Sequence, residues 1–250
     1  PPGEHLAGVP PVREALRAGR RREKEVWLLT PGRGADRRAQ IASLARDAGV
    51  PVTTASRDRL ARLAGTEDHQ GIVAAVEGFP YEDAGSLLAR IRACTRAPLI
   101  LALDSVQDPR NLGSMIRCAN TAGAQGVVIP KDRSAGITAV AARASAGAVE
   151  HTPVARVTNL VRTLGALRDA GLWIVGAAED GEKTMDRFDA SAPLVLVIGG
   201  EGKGLRPLVR KSCDLRVSIP MAGEIASLNA ATAAAVLLHE AGRQRRSAGG

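Results

Sequence analysis

Apolar and polar positions divide the chain into two patterns. Up to residue 76, short apolar runs at 26–29, 50–53 and 72–76 alternate with polar stretches at 38–48 and 57–63, where apolar residues recur at helical spacing. That alternation predicts a small α/β unit of about 80 residues. From residue 99 the runs lengthen and become uniformly apolar, at 99–103, 126–129, 172–175 and 194–198, with a shorter one at 215–219. Such runs read as parallel strands buried on both faces. Helical patterns fall between them, at Leu112/Ile116/Ala119 and Leu160/Leu164/Leu167, and a last helix is predicted over 228–241 with a frayed tail after Arg243. The turn-rich stretch 78–85 marks the boundary. The predicted organisation is a first domain at 1–78, a linker at 79–96 that ends in a short amphipathic piece (Leu87, Leu88, Ile91), and a parallel α/β domain at 97–245.

Composition narrows the class. The 250 residues are 45% hydrophobic and 24% charged, which fits a globular protein and not a disordered one. No apolar run approaches the roughly 20 residues of a membrane span, and no secretory leader pattern opens the sequence, so a cytoplasmic location without a membrane partner is expected. Thirty-four Lys and Arg against 26 Asp and Glu give +8, which points to a polyanionic partner such as nucleic acid. The basic cluster Arg20, Arg21, Arg22 and Lys24 is the candidate contact in the first domain. Aromatic residues are only 2% of the chain, too few for a base-stacking platform. Cys94, Cys118 and Cys213 are far apart, and the four histidines lack ligand spacing, so neither a disulfide framework nor a metal site is expected.

Three segments carry candidate chemistry, each running from a predicted strand end into a helix, where parallel sheets hold ligands. The glycine-rich Gly199-Gly200-Glu201-Gly202-Lys203-Gly204-Leu205 fails as a P-loop, because Val197 and Gly204 stand where Gly and Ser or Thr are needed, and fails as a dinucleotide fingerprint at Leu205. What remains is a loop whose backbone can approach a ligand closely, with Glu201 in its middle. The second segment, 103–117, offers Asn111, which could simply cap the helix, and Arg117, one turn beyond Gly113. The third, 219–229, offers Ser227 as a helix cap and Asn229 as an unusual polar residue one turn inside an alanine-rich helix.

Taken in order, these segments resemble the three motifs of the SpoU family of RNA ribose 2′-O-methyltransferases, in the SPOUT superfamily. The first is matched by Asp108-Pro109-x-Asn111-Leu112-Gly113 with Arg117, the second by Gly200-Glu201-Gly202-x-Gly204-Leu205, and the third by Ile219-Pro220-Met221 with Ser227-Leu228-Asn229. His69-Gln70-Gly71-Ile72-Val73-Ala74 and Lys131-Asp132-Arg133-Ser134-Ala135 further resemble the subgroup that methylates a guanosine in the peptidyl-transferase region of 23S rRNA.

The resemblance implies a trefoil-knotted α/β domain that binds S-adenosyl-L-methionine, a ribosomal-protein-like RNA-binding first domain, and a homodimer. It implies catalytic roles for Asn111, Arg117, Glu201, Ser227 and Asn229, and cofactor contacts near Ala177, Gly199, Gly200, Gly202, Ile219, Met221, Ser227 and Leu228. Arg110, beside the first motif, joins the basic cluster as a candidate RNA contact. The chain departs from the subgroup at Ala226, where Ser is common, and at Glu224-Ile225, where smaller residues stand; tuning of the pocket is expected there. Transfer RNA or another rRNA site, including one that confers antibiotic resistance, is the alternative substrate. A non-catalytic RNA-binding protein of the same fold would have no reason to keep Arg117, Glu201 and Asn229 together.

Overall fold

The computed structural model describes residues 4–30, 35–202 and 204–248, and these form two compact units. The first comprises residues 4–80 and 136–151. Its leading elements are β1 (Glu4–Ala7), α1 (Val9–Ala18), β2 (Glu23–Leu29), α2 (Ala35–Asp47), β3 (Val52–Ala55), α3 (Arg57–Ala64) and β4 (Ile72–Val76). The sheet has the order β1-β4-β2-β3, antiparallel except for the β2/β3 pair. Alternation along the strands sends Ala7, Trp27, Ala55 and Val73 to the face covered by Leu60 of α3. Side chains of the other set, including Leu6, Val26 and Ile72, are buried, and α1 and α2 pack against each other and the sheet. The predicted α/β unit is present, with β1 and α1 added at its start. Pro10 and Pro11 fall in the first turn of α1, where a missing N–H costs no intrahelical bond.

The second unit holds α4 (Ala84–Arg92), β5 (Leu99–Asp104), α5 (Pro109–Thr121) and β6 (Gly126–Pro130). The chain then leaves this sheet. Residues 136–151, including α6 (Ala139–Ala144) and a 3₁₀ turn at Ala148–Glu150, belong to the first unit, which corrects the uninterrupted 97–245 domain. The remaining elements are β7 (Val154–Val157), α7 (Leu160–Asp169), β8 (Trp173–Ala177), β9 (Lys183–Thr184), β10 (Leu194–Gly199), α8 (Pro207–Lys211), β11 (Leu215–Ser218) and α9 (Ala230–Ala248). All seven strands are parallel, in the order β7-β6-β5-β10-β8-β11-β9. The strand β10 thus enters between β5 and β8, both earlier in the chain.

Uniform burial of β5, β6 and β10 follows from helices on both faces. Ile100, Ala102, Val195 and Val197 meet Leu87 and Ile91 of α4 and Leu160, Leu164 and Leu167 of α7. The stretch expected as a linker is therefore partly structural, since α4 covers the sheet. Adjacent positions such as Leu101 turn to the opposite face, where α5 packs on β6, and α9 on α5 and β10. The tail is helical to Ala248, not frayed. Its Arg245 donates to the carbonyl oxygens of Ala97, Pro98, Ala190 and Ala192 at 2.5–3.2 Å.

A buried ion pair fastens residues 136–151 within the first unit. Arg21 donates through Nε to Glu150 at 3.0 Å, approaches its second oxygen at 2.7 Å and reaches Glu4 at 3.2 Å, with its guanidinium 4.9 Å from the centroid of the Phe79 ring. Burial pushes the Glu150 carboxyl above its ordinary range, and the Arg21 charge opposes that shift. Arg21 is thus a structural residue and not the RNA contact its place in a basic cluster suggests. Truncation of one member leaves an uncompensated buried charge. Arg21→Ala is expected to cost about 3–5 kcal/mol in urea unfolding, whereas the double replacement Arg21→Met/Glu150→Leu should recover most of it.

Candidate active site

The pocket forms at the carboxyl ends of three neighbouring strands. Gly199 of β10 pairs in register with Asp104 of β5, Val197 with Gly176 of β8, and Val217 of β11 with Ala177. The loops that follow these strand ends line a cavity of about 730 Å³, within the usual range for small-molecule sites. All eight expected cofactor positions line it: Ala177, Gly199, Gly200, Gly202, Ile219, Met221, Ser227 and Leu228. The structure thus assembles one site from segments at 177–180, 198–205 and 217–233, successive ones about 20 residues apart in sequence.

The glycine loop has this sequence because its backbone is crowded. A Cβ on Gly200 would stand 2.3 Å from the carbonyl oxygen of Ser105. Gly202 has φ +76°, a left-handed conformation that side chains disfavour. Lys203 lies outside the described residues. Both oxygens of the buried Asp104 hold the loop's far end: Oδ2 accepts from the Arg206 backbone N–H at 2.7 Å and Oδ1 from its Nε at 2.6 Å. Sequence reading missed this clasp, since Asp104 ends an apolar run and Arg206 is one arginine among many.

The expected catalytic residues divide into those at the pocket and one away from it. Glu201, Ser227 and Asn229 line the cavity, and the Asn111 side-chain amide donates to the Glu201 carboxylate, joining the first and second segments. Asn111 is not the helix cap: Asp108 takes that role, accepting from the Arg110 N–H at 2.8 Å, with Pro109 next. Asn229 is the residue that caps the last helix, its Oδ1 accepting from Ala231 at 2.9 Å and Thr232 at 3.3 Å, so it does not sit one turn inside as predicted. Ser227 precedes the helix in an exposed segment, 221–229. Arg117 is exposed on α5 and does not line this chain's cavity, while Gly113 one turn before it is buried. Arg20, half-buried over the Phe79 ring, donates to the Glu150 carbonyl, whereas Arg22, Lys24 and Arg110 are exposed. Of the departures from the subgroup, Ala226 lines the cavity, but Glu224 and Ile225 do not.

The loop after β8 adds Glu179, Asp180 and, facing it from α8, Arg210, none of them singled out by sequence. Arg210 donates to the Asp180 carboxylate and holds it below its ordinary range. The readable signal was an acidic pair placed directly after an apolar strand. Among the described residues, no group of three or more His, Cys, Asp or Glu could hold a metal, and no helix is long and apolar enough to cross a membrane.

The sequence matches the SpoU rRNA methylase family over residues 98–239, more than half of the chain, and the RNA 2′-O ribose methyltransferase substrate-binding family over 6–82. The chain belongs to the SpoU family. An uncharacterised tRNA/rRNA methyltransferase of Mycolicibacterium vanbaalenii is 46% identical over 248 residues, covering 98% of this chain and 78% of the relative. Among solved structures, the SpoU methyltransferase AviRb of Streptomyces viridochromogenes, in complex with AdoMet, superposes with a TM-score of 0.81 at 30% identity, covering 98% of this chain and 91% of that one. An AdoMet-bound rRNA methyltransferase of Sinorhizobium meliloti gives 0.78 at 27% identity, covering 96% and 87%. This SpoU chain therefore has the α/β SPOUT fold with a small first domain.

The two fastenings of the site differ in strength. Asp104→Ala should cost about 2–3 kcal/mol in urea unfolding, less than a fully buried pair because Arg206 is partly exposed. Asn229→Ala, which removes a helix cap, should cost about 1 kcal/mol.

Proposed function

We propose that this SpoU-family RNA methyltransferase transfers a methyl group from S-adenosylmethionine to a ribose 2′-hydroxyl, and that its target is a guanosine of 23S rRNA in the peptidyl-transferase region. The observation that carries the reaction is the convergence of three strand-end loops on one cavity, with Asn111, Glu201 and Asn229 gathered at the glycine loop. The donor site fits the residues present: the cavity is of suitable size, crowded glycine backbone forms one wall, and Ile219, Met221 and Leu228 supply apolar contact. The choice of a 23S guanosine rests on the His69–Ala74 and Lys131–Ala135 segments. The name of the mycobacterial relative covers both tRNA and rRNA, and this favours tRNA as the second reading.

When bound, S-adenosylmethionine supplies an electrophilic methyl carbon carried on a sulfonium. Backbone groups near Ala177, Gly199, Gly200, Gly202, Ile219, Met221 and Leu228 hold the donor, and Ser227 and Asn229 orient the ribose. Transfer needs oxygen, carbon and sulfur in line, so positioning supplies much of the acceleration. A guanidinium offers donors and no acceptor, so Arg117 is not the base. It instead gathers the adjacent phosphate and stabilises the developing alkoxide, while phosphate or solvent takes the proton.

Six residues separate Asn111 from Arg117, placing them about 9 Å apart along α5 and about 120° apart around it. Because Arg117 does not line this chain's cavity while Asn111 is joined to Glu201 there, a homodimer is proposed in which a second copy supplies Arg117. The exposed Ile225 and Leu228 beside the cavity support such an interface.

Three measurements test this reading. Mapping 2′-O-methyl positions in RNA from cells with and without the gene should show one guanosine of 23S rRNA losing its mark; loss from tRNA alone selects the second reading. Arg117→Ala should slow single-turnover methylation by about 10²-fold or more and leave donor affinity within a few-fold. Arg117→Ala mixed with Glu201→Ala should regain roughly a quarter of wild-type activity if the site is shared between chains, and none if it is not.

A further inference from the structure

We propose that the turn at 131–134, together with Arg156, is a phosphate-binding track for the RNA strand that flanks the methylated nucleotide. This rests on the RNA-methylating reading above and adds to it a substrate surface outside the cavity. Lys131, Arg133 and Arg156 are all exposed. They stand at the carboxyl ends of β6 and β7, on the same sheet edge as the cavity. Neighbouring strands are about 4.8 Å apart, so two to three strand spacings put the track roughly 10–15 Å from the β10 loop.

The turn is held and not merely exposed. The Lys131 N–H donates to the Val157 carbonyl at 2.7 Å, and the Ala135 N–H and Ser134 hydroxyl donate to the Val106 carbonyl at 2.8 and 3.3 Å. Val106 follows Ser105, the residue against which Gly200 is pressed, so the turn and the glycine loop share one support. Arg133 has φ +57°, a strained conformation for a side-chain-bearing residue that a simple connection would fill with glycine. Arg156 is set by its guanidinium 5.2 Å from the Tyr81 ring centroid and by donation to the Lys131 carbonyl at 3.1 Å.

The chemistry selects backbone over bases. Three cations face one acid within the turn, Asp132, because Glu82 is taken by Arg90 at 2.5 Å. One face of the nearby Tyr81 ring is covered by Arg156. A run of exposed cations with one acid among them is suited to phosphates, and phosphate contacts set register on the strand without conveying its sequence.

The test uses unmodified ribosomal RNA from a strain lacking the gene, with binding read from about 50 to 200 mM salt. Lys131→Ala/Arg133→Ala and, separately, Arg156→Ala should weaken retention by about 10-fold or more and flatten the slope of log K against log salt by about 1–2 for the double variant. Donor affinity and the single-turnover rate at saturating RNA should stay within a few-fold. Arg133→Gly removes the charge while suiting the left-handed backbone, so it should keep or raise thermal stability and still weaken RNA binding. If the wild type methylates this RNA and the variants keep its affinity and salt slope, the track is overturned and the methyltransferase reading stands. If the wild type binds the donor but neither retains nor methylates the RNA, the parent reading falls, and the track with it.

Discussion

The carboxylate of Asp104 closes the loop on which the cavity is built. It ends the central strand β5, is buried, and uses both oxygens on Arg206, at the far side of the glycine loop. The loop leaves β10 at Gly199, the register partner of Asp104, and returns to Asp104 through Arg206. Its backbone is thereby drawn against Ser105 so tightly that Gly200 has no room for a Cβ. Gly199 and Gly200 answer to this crowding, whereas Gly202 and Gly204 have open space for a Cβ and answer to their left-handed backbone instead.

From that closure the two sides of the site follow by different physics. The side proposed for the donor is mostly backbone and apolar contact in loops that start at the register-fixed ends of β8, β10 and β11. The side proposed to take the RNA is built from side chains instead: Asn111 tied to Glu201, Asn229 committed to capping α9, and the exposed Lys131, Arg133 and Arg156 along the sheet edge. Arg117 lies on another face of α5 from Asn111 and does not line this cavity, which is why a second copy is proposed to supply it.

Much of this was legible in the sequence where local pattern decides structure. The runs at 99–103 and 194–198 read as buried parallel strands because helices on both faces make every position apolar. The strand-end loops were legible as places for a ligand, but the individual positions expected to meet the cofactor came from the resemblance to the SpoU motifs, and what the structure adds is that they line one cavity. The short strands β1, β7 and β9 were not legible, although β3 and β11, also of four residues, were read from their apolar runs. The excursion at 136–151 was illegible because its place is set by Glu150 meeting Arg21, 129 residues away. The same pairing hid the role of Arg21, because sequence shows a charge but not its burial. Asn229 was misread because the last helix was started two residues too early, at 228 instead of 230, which made a cap look like an interior residue.

The central claim is that crowded backbone at Gly200 shapes the methyl-donor site. Calorimetric titration of S-adenosylmethionine into the wild type and Gly200→Ala, in chelator-treated buffer, tests it most directly. The account predicts one donor per chain for the wild type, and at least about a tenfold loss of affinity for the variant, because the added methyl must displace either the loop or the Ser105 carbonyl. A Gly200→Ala protein that binds the donor as tightly as the wild type would contradict it.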